Sequence, residues 1–278
     1  PQQPGWRDAD AQAAQTLEAL RQLHSDKHAL LRATLSESAL EDAWIRPILD
    51  LLGHTYHVGA SLPSAEGSRT PDYALFPDEA TRCAALPRLG TADFFGTALA
   101  IGDAKRWERS LDRRLAEGSG DAFSNANPSY QIDYYLRITG RDWGLLTNGR
   151  LWRLYQRESS FHLDRYYEVS LINLLEQGQV EHFNYFYLLF RRAAFPEFLD
   201  QVLQESREYA RGVSEDLKER IYEALRLLAE GFLKYPGTSL TPAELEVIHD
   251  NALILLYRLL FIFYAESRRL LPLENRSY

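Results

Sequence analysis

The sequence predicts an α/β domain, a mixed β-sheet flanked by helices, followed by an all-helical region. Three observations lead there. Helix and strand signals alternate with loops over residues 36–190. Asn148-Gly149 lies between two apolar runs, which is the strongest short hairpin signal. From 195 to 271 the pattern is helical almost throughout, broken near 234–239 by Tyr235-Pro236-Gly237.

Each element has a local reason. Residues 8–31 carry apolar or alanine positions at helical spacing, with His24 and Asp26 near the end. A second helix spans 39–52, and Gly53 is its stop signal. A strand starts at 56–58, a polar loop covers 61–70, and a short strand covers 72–76. Residues 77–95 read as an irregular insertion with one helix around 80–85. Residues 98–105 (ALAIGDAK) read as a buried strand that opens into a polar loop. The stretch 115–127 is rich in Gly and Ser and is expected to be mobile. Asn127-Pro128 starts a helix that ends near Gly140. Strands at 143–147 and 151–155 flank the hairpin turn, and another covers 164–169. Thr241-Pro242-Ala243-Glu244 is a capping box that starts a further helix. Its apolar positions over 245–260 crowd all faces, as expected of a helix buried between neighbours. The domains are therefore expected at 1–35, 36–192 and 193–278.

Composition narrows the function classes. With 278 residues, 45% of them hydrophobic, the chain can bury a full core. A quarter of the residues are charged, which excludes a disordered chain and fits a soluble one. No uninterrupted apolar run reaches the eighteen or so residues of a membrane span, so no membrane partner is expected. The longest, 252–263, is broken by Tyr257 and Arg258. The start is polar, without the apolar stretch of a signal peptide. The single Cys83 excludes an internal disulfide and fits a reducing cytoplasm. A start at Pro1, no methionine, and a stop soon after an apolar helix are expected of part of a longer protein. The net charge of −8 supplies no overall basic field, so DNA contact would need local patches.

One constellation carries chemistry. Asp103 and Lys105 are two apart on a strand, so their side chains share a face. Asp72 follows Pro71 at the edge of another strand. Two gathered carboxylates offer hard oxygen ligands suited to magnesium. A lysine beside them can polarise a water or stabilise charge growing on a phosphate. The run 105–114 (KRWERSLDRR) holds five basic residues and reads as a phosphate-contacting segment formed by Lys105, Arg106, Arg109, Arg113 and Arg114. Its plain alternative is a solvated face diluted by Glu108 and Asp112.

Pro71-Asp72 with Asp103-Ala104-Lys105 resembles the PD-(D/E)xK nuclease motif. The surroundings add to the resemblance. Glu41, in the helix ending at Gly53, is similar to the acidic residue that a helix brings to the site in that superfamily, although Asp42 could take its place. Gln131-Ile-Asp-Tyr-Tyr135 resembles a QxxxY motif that follows the catalytic lysine in nuclease subunits of restriction enzymes. Gly144–Tyr155 resembles the hairpin after that helix in type I and type IIG enzymes. The tail from Leu256 resembles the helical connector into the methyltransferase of single-chain enzymes. The ordered set covers about 39–273.

The resemblance implies a restriction-endonuclease-like core and a type IIG-like, bifunctional restriction-modification enzyme of phage defence. It implies Mg2+ held by Asp72, Asp103 and Glu41, Lys105 as the catalytic lysine, and Gln131 and Tyr135 orienting the site or touching the DNA backbone. It implies cleavage of double-stranded DNA, with a homo-oligomer as an arrangement for cutting. S-adenosylmethionine is expected only in an adenine-methyltransferase domain outside this chain. A second reading keeps the fold without cleavage, as a DNA-binding or assembly platform of a phage-defence methyltransferase. A third reading is a helical module, 195–278, that docks a partner.

Three other motifs have plainer readings. Asn127-Pro-Ser-Tyr130 resembles a methyltransferase motif but lacks its second proline, and a helix cap explains it. His24 and His28 lie one helical turn apart with no third ligand. His54 and His57 flank a strand start and read as structural.

Overall fold

The computed structural model describes residues 6–32, 34–62, 70–113, 127–237, 244–268 and 270–271. The loop expected at 61–70, the Gly- and Ser-rich stretch at 115–127, Arg114 and the capping box at 241–244 fall wholly or mostly outside the described residues. The chain divides into two compact units, 1–201 and 202–278.

The first unit is α/β. Helix α1 (Trp6–Lys27) buries Ala13, Leu17 and Leu20, which recur at helical spacing. It packs against later helices of the same unit. Helix α2 (Glu37–Leu40) is capped by Ser36, whose Oγ accepts the Ala39 N–H at 3.2 Å. It continues through a wide π-helical turn (Glu41–Ile45) into α3 (Arg46–Leu51). Pro47 explains the wide turn. It has no N–H to donate and its ring crowds the carbonyl four residues back, so the Arg46 N–H reaches Glu41 O instead.

The sheet has six strands in sequence order: β1 (Thr55–Val58), β2 (Tyr73–Phe76), β3 (Ala100–Ala104), β4 (Trp143–Thr147), β5 (Leu151–Gln156) and β6 (Tyr167–Ser170). Among the described residues only β3 and β4 run parallel; every other neighbouring pair is antiparallel. A parallel pair needs a crossover, which here contains α5 (Pro128–Thr139). Helix α4 (Glu79–Ala85) lies in the excursion between β2 and β3. That excursion is long, yet β2 and β3 are paired, with Tyr73 opposite Gly102 and Leu75 opposite Ala100. The last strand begins later than the expected 164.

Strand alternation sorts the two faces. Ala74, Ile101, Leu146 and Tyr155 point into a core shared with Ile132, Tyr135 and Leu136 of α5. Gly144 lets α5 approach β4 closely, since a Cβ there would lie 3.0 Å from Ile132 Cγ1. Trp152 points the other way, edge-on to Phe186 and Phe190. Those belong to α7 (Val180–Phe190), which follows α6 (Leu171–Gln177) and packs on α1.

Helix α8 (Glu197–Lys234) begins within the first unit, and the Trp143 indole donates to Asp200 at 2.8 Å. Asp200 lies in the first unit. In the second unit, α9 (Leu245–Ser267) buries Ile248, Ala252 and Ala265. Tyr257, Phe261 and Phe263 are exposed, so α9 is not buried on all faces as its apolar pattern predicts. By length and composition alone α9 is apolar enough to cross a membrane. Counting uninterrupted residues misses this, because Tyr257 and Arg258 break the run but not the average.

Candidate functional site

Asp72, Asp103 and Lys105 meet where β2 and β3 are joined. Tyr73 opposite Gly102 places Asp72 beside the C-terminal end of β3. Asp72 and Asp103 lie on the same pleat face as Ala74 and Ile101. The Asp72 Oδ2 accepts the Ala104 backbone N–H at 2.7 Å. Lys105 Nζ lies 2.5 Å from Asp103 Oδ2 and donates to Ala104 O at 2.9 Å. The contact with Asp103 is an ion pair of poor hydrogen-bond geometry, and among the described residues no other donor reaches the buried Asp103 Oδ2. Asp103 itself is only 2% exposed. Past the strand end, the Lys105 N–H continues the ladder to Thr147 O at 2.8 Å.

The electrostatics follow from this crowding. Burial pushes the Asp72 carboxyl well above its usual range, and the neighbouring Asp103 adds to the rise against the opposing Lys105 charge. Burial alone would lower the Lys105 ammonium, but Asp103, Asp72 and Glu37 outweigh it and hold the ammonium above its ordinary range. Lys105 is therefore a fixed cation at neutral pH.

Glu37 is the residue that sequence reasoning missed. It is half-buried, and burial raises its carboxyl; Lys105 opposes this, while Asp103 and Glu41 add to it. The Arg106 backbone N–H also opposes the rise, the least of these effects. The available signal was spacing: Glu37 lies one helical turn before Glu41.

Glu41, the expected ligand, is buried and otherwise engaged. Its Oε2 accepts the Tyr73 hydroxyl at 2.6 Å and contacts Arg46 Nη2 at 3.5 Å. Tyr73 points to the pleat face opposite Asp72. Asp42, the alternative, is exposed and pairs with Arg46 Nη1. Among the described residues, no group of three or more His, Cys, Asp or Glu side chains gathers as a ligand set.

Gln131 and Tyr135 are 4% and 5% exposed, on the inward face of α5, and Tyr135 belongs to the core. The segment after Lys105 is a loop over its described length, 105–113. Trp107 and Leu111 point inward, Arg106 and Arg113 are exposed, and Arg109 is half-buried. At its far end Asp112 is gripped by Arg153, with bonds of 2.6 and 2.9 Å.

The donor chemistry fits a hard divalent cation. Asp103 Oδ2 lacks a hydrogen bond, and two carboxylates sit together in a partly dry site. Magnesium commonly takes only one or two carboxylates and completes its octahedron with water and phosphate oxygens, so a third acidic ligand is not required.

No protein-family model matches the chain, and no curated protein sequence does. Among solved structures, a chain in the "cryoEM structure DrdV-DNA complex" is similar at 15% identity and a TM-score of 0.37. The likeness covers 80% of this chain and 17% of that one, so this chain spans about a sixth of its length.

Proposed function

We propose that this chain carries a magnesium-dependent endonuclease centre that hydrolyses phosphodiester bonds of double-stranded DNA. The observation that carries the reading is the convergence of Asp72, Asp103 and Lys105, with a buried Asp103 oxygen lacking a hydrogen-bond donor. Asp72 and Asp103 would hold the ion. When bound, it supplies a Lewis acid and lowers the pKa of a coordinated water.

The chain's own residues do the rest. Lys105 would supply a cation for the charge growing on phosphorus. Glu37 and Glu41 set the field around it, and Glu41 holds the Tyr73 hydroxyl. Gln131 and Tyr135 brace α5 against the sheet.

The ordered motifs support a PD-(D/E)xK nuclease region of a type IIG-like restriction-modification enzyme. Sequence recognition and S-adenosylmethionine-dependent methylation would lie outside this chain. In the intact protein, Asp103→Ala and Lys105→Ala should each abolish cleavage while leaving methylation. Normal cutting by either variant with magnesium overturns the assignment.

One observation favours a second reading, a non-cleaving DNA-binding or assembly platform: no three acidic side chains gather as ligands among the described residues. Calorimetric titration with magnesium separates the two. Binding that depends on Asp72 and Asp103 supports the nuclease, and its absence supports the platform.

A further inference from the structure

We propose that Arg150, in the turn between β4 and β5, contacts a DNA phosphate beside the Asp103–Lys105 site, together with Arg106 and Arg109. The inference takes its partner from the nuclease reading and adds how the strand would be held.

Topology puts this turn at the right end of the sheet. Strand β4 runs parallel to β3, with Thr147 opposite Ala104. The residues after Thr147 therefore leave the sheet beside those after Ala104, which begin with Lys105. The Arg150 side chain is exposed, and its guanidinium lies 6.0 Å from the centre of the Trp107 ring. Trp107 belongs to the basic loop, so the two segments are neighbours in space.

Both segments are fixed in place. Asn148 Oδ1 accepts the N–H groups of Arg150 and Leu151 at 3.1 and 2.9 Å, and the Leu171 N–H donates to Arg150 O at 2.9 Å. Asn148 Nδ2 donates to Arg109 O at 2.9 Å, which ties the turn to the loop. The Trp44 indole donates to Gly149 O at 2.9 Å and meets Trp107 edge-on. Side chains carried on such a backbone lose less freedom when they bind.

The chemistry selects an anion. The chain is acidic overall, yet these two neighbouring segments carry Arg106, Arg109 and Arg150. No carboxylate among the described residues pairs with the Arg150 guanidinium. A guanidinium resting over an aromatic ring keeps its N–H edge available, and that planar edge matches two phosphate oxygens.

The test measures binding of the 278-residue chain to a labelled duplex DNA in metal-free buffer, between about 50 and 200 mM salt. Arg150→Gln should weaken binding about equally across sequences and reduce the slope of log affinity against log salt by about one. Arg150→Lys should keep the slope. Arg157→Gln makes the same charge change at the other end of β5, where Arg157 pairs with Asp142, and should leave the slope unchanged. An unchanged slope in Arg150→Gln, an equal fall in Arg157→Gln, or no duplex binding by the wild-type chain at the lowest salt would each overturn the proposal. Cleavage by Asp103→Ala is scored separately in the intact protein. Normal cutting there removes the nuclease reading and leaves the Arg150 contact standing.

Discussion

The Asp72 carboxylate accepts the Ala104 backbone N–H at 2.7 Å, and this bond brings it beside Asp103 although the two are far apart in sequence. Burial and the Asp103 charge together raise the Asp72 carboxyl. The site is thus strained electrostatically in the absence of a cation. Asp72→Asn keeps an oxygen for Ala104 and removes one charge. Without metal, its thermal midpoint should be a few degrees higher, as is common when a strained functional group is neutralised. Cleavage should fall at least about 100-fold. A lower midpoint in metal-free buffer would refute the crowding argument.

Lys105 neutralises a buried partner. Lys105→Ala leaves Asp103 with neither a counter-charge nor a donor at Oδ2. The loss should be about 3 kcal/mol, the cost of an uncompensated buried charge. Magnesium should restore part of it, and denaturant titrations with and without the ion would show the difference.

Arg153 is 2% exposed and holds the far end of the basic loop. It binds Asp112 with two nitrogens, takes Glu168 at 2.6 Å, and lies 3.9 Å above the Tyr166 ring. A lysine cannot reproduce that fork. Arg153→Lys should cost about 3 kcal/mol. It should also speed hydrogen exchange at the amides of 106–112 more than at those of β3. Uniform acceleration would mean that Arg153 supports the whole fold and not this loop.

Gly149 has φ +82°, and a Cβ there would sit 2.9 Å from Trp44 Cδ1 and 3.1 Å from Trp107 Cζ3. Gly149→Ala therefore meets both backbone strain and overpacking, at a combined cost of about 2–4 kcal/mol. Equilibrium unfolding measures it. A loss below about 0.5 kcal/mol would show that the two tryptophans move aside freely.

His54 makes stability depend on pH. It is buried, its Nε2–H donates to Phe190 O at 2.6 Å, and its Nδ1 has no partner. Burial first, and the nearby Arg192 charge in addition, lower its pKa from the ordinary 6.5 to about 4. The folded state holds the neutral ring and the unfolded state gains the proton more readily. Stability from this group is full above about pH 6.5 and is lost as pH falls toward 4, by about 3 kcal/mol. His54→Gln should flatten that acid limb in urea titrations at stepped pH. An unchanged limb would assign it to other groups.

Much of this was legible in the sequence. The Asn148-Gly149 turn, the Asn127 cap with Pro128 and the ALAIGDAK strand are local signals, and each lies close to its predicted place. So was the Asp103–Lys105 pair, because a period of two puts both residues on one side of a strand. Tertiary structure decided the rest. Residues 31 apart in sequence became neighbours through the β2–β3 ladder, which no local pattern encodes. Glu41 was drawn to Tyr73 by the opposite pleat face, and Glu37 came to face Lys105 instead. Arg150 and Trp107 met because β3 and β4 run parallel and end together. Side-chain type and short-range periodicity are properties of the chain itself; which carboxylate finds which cation depends on strand register and packing, and those are settled only when the distant segments close on one another.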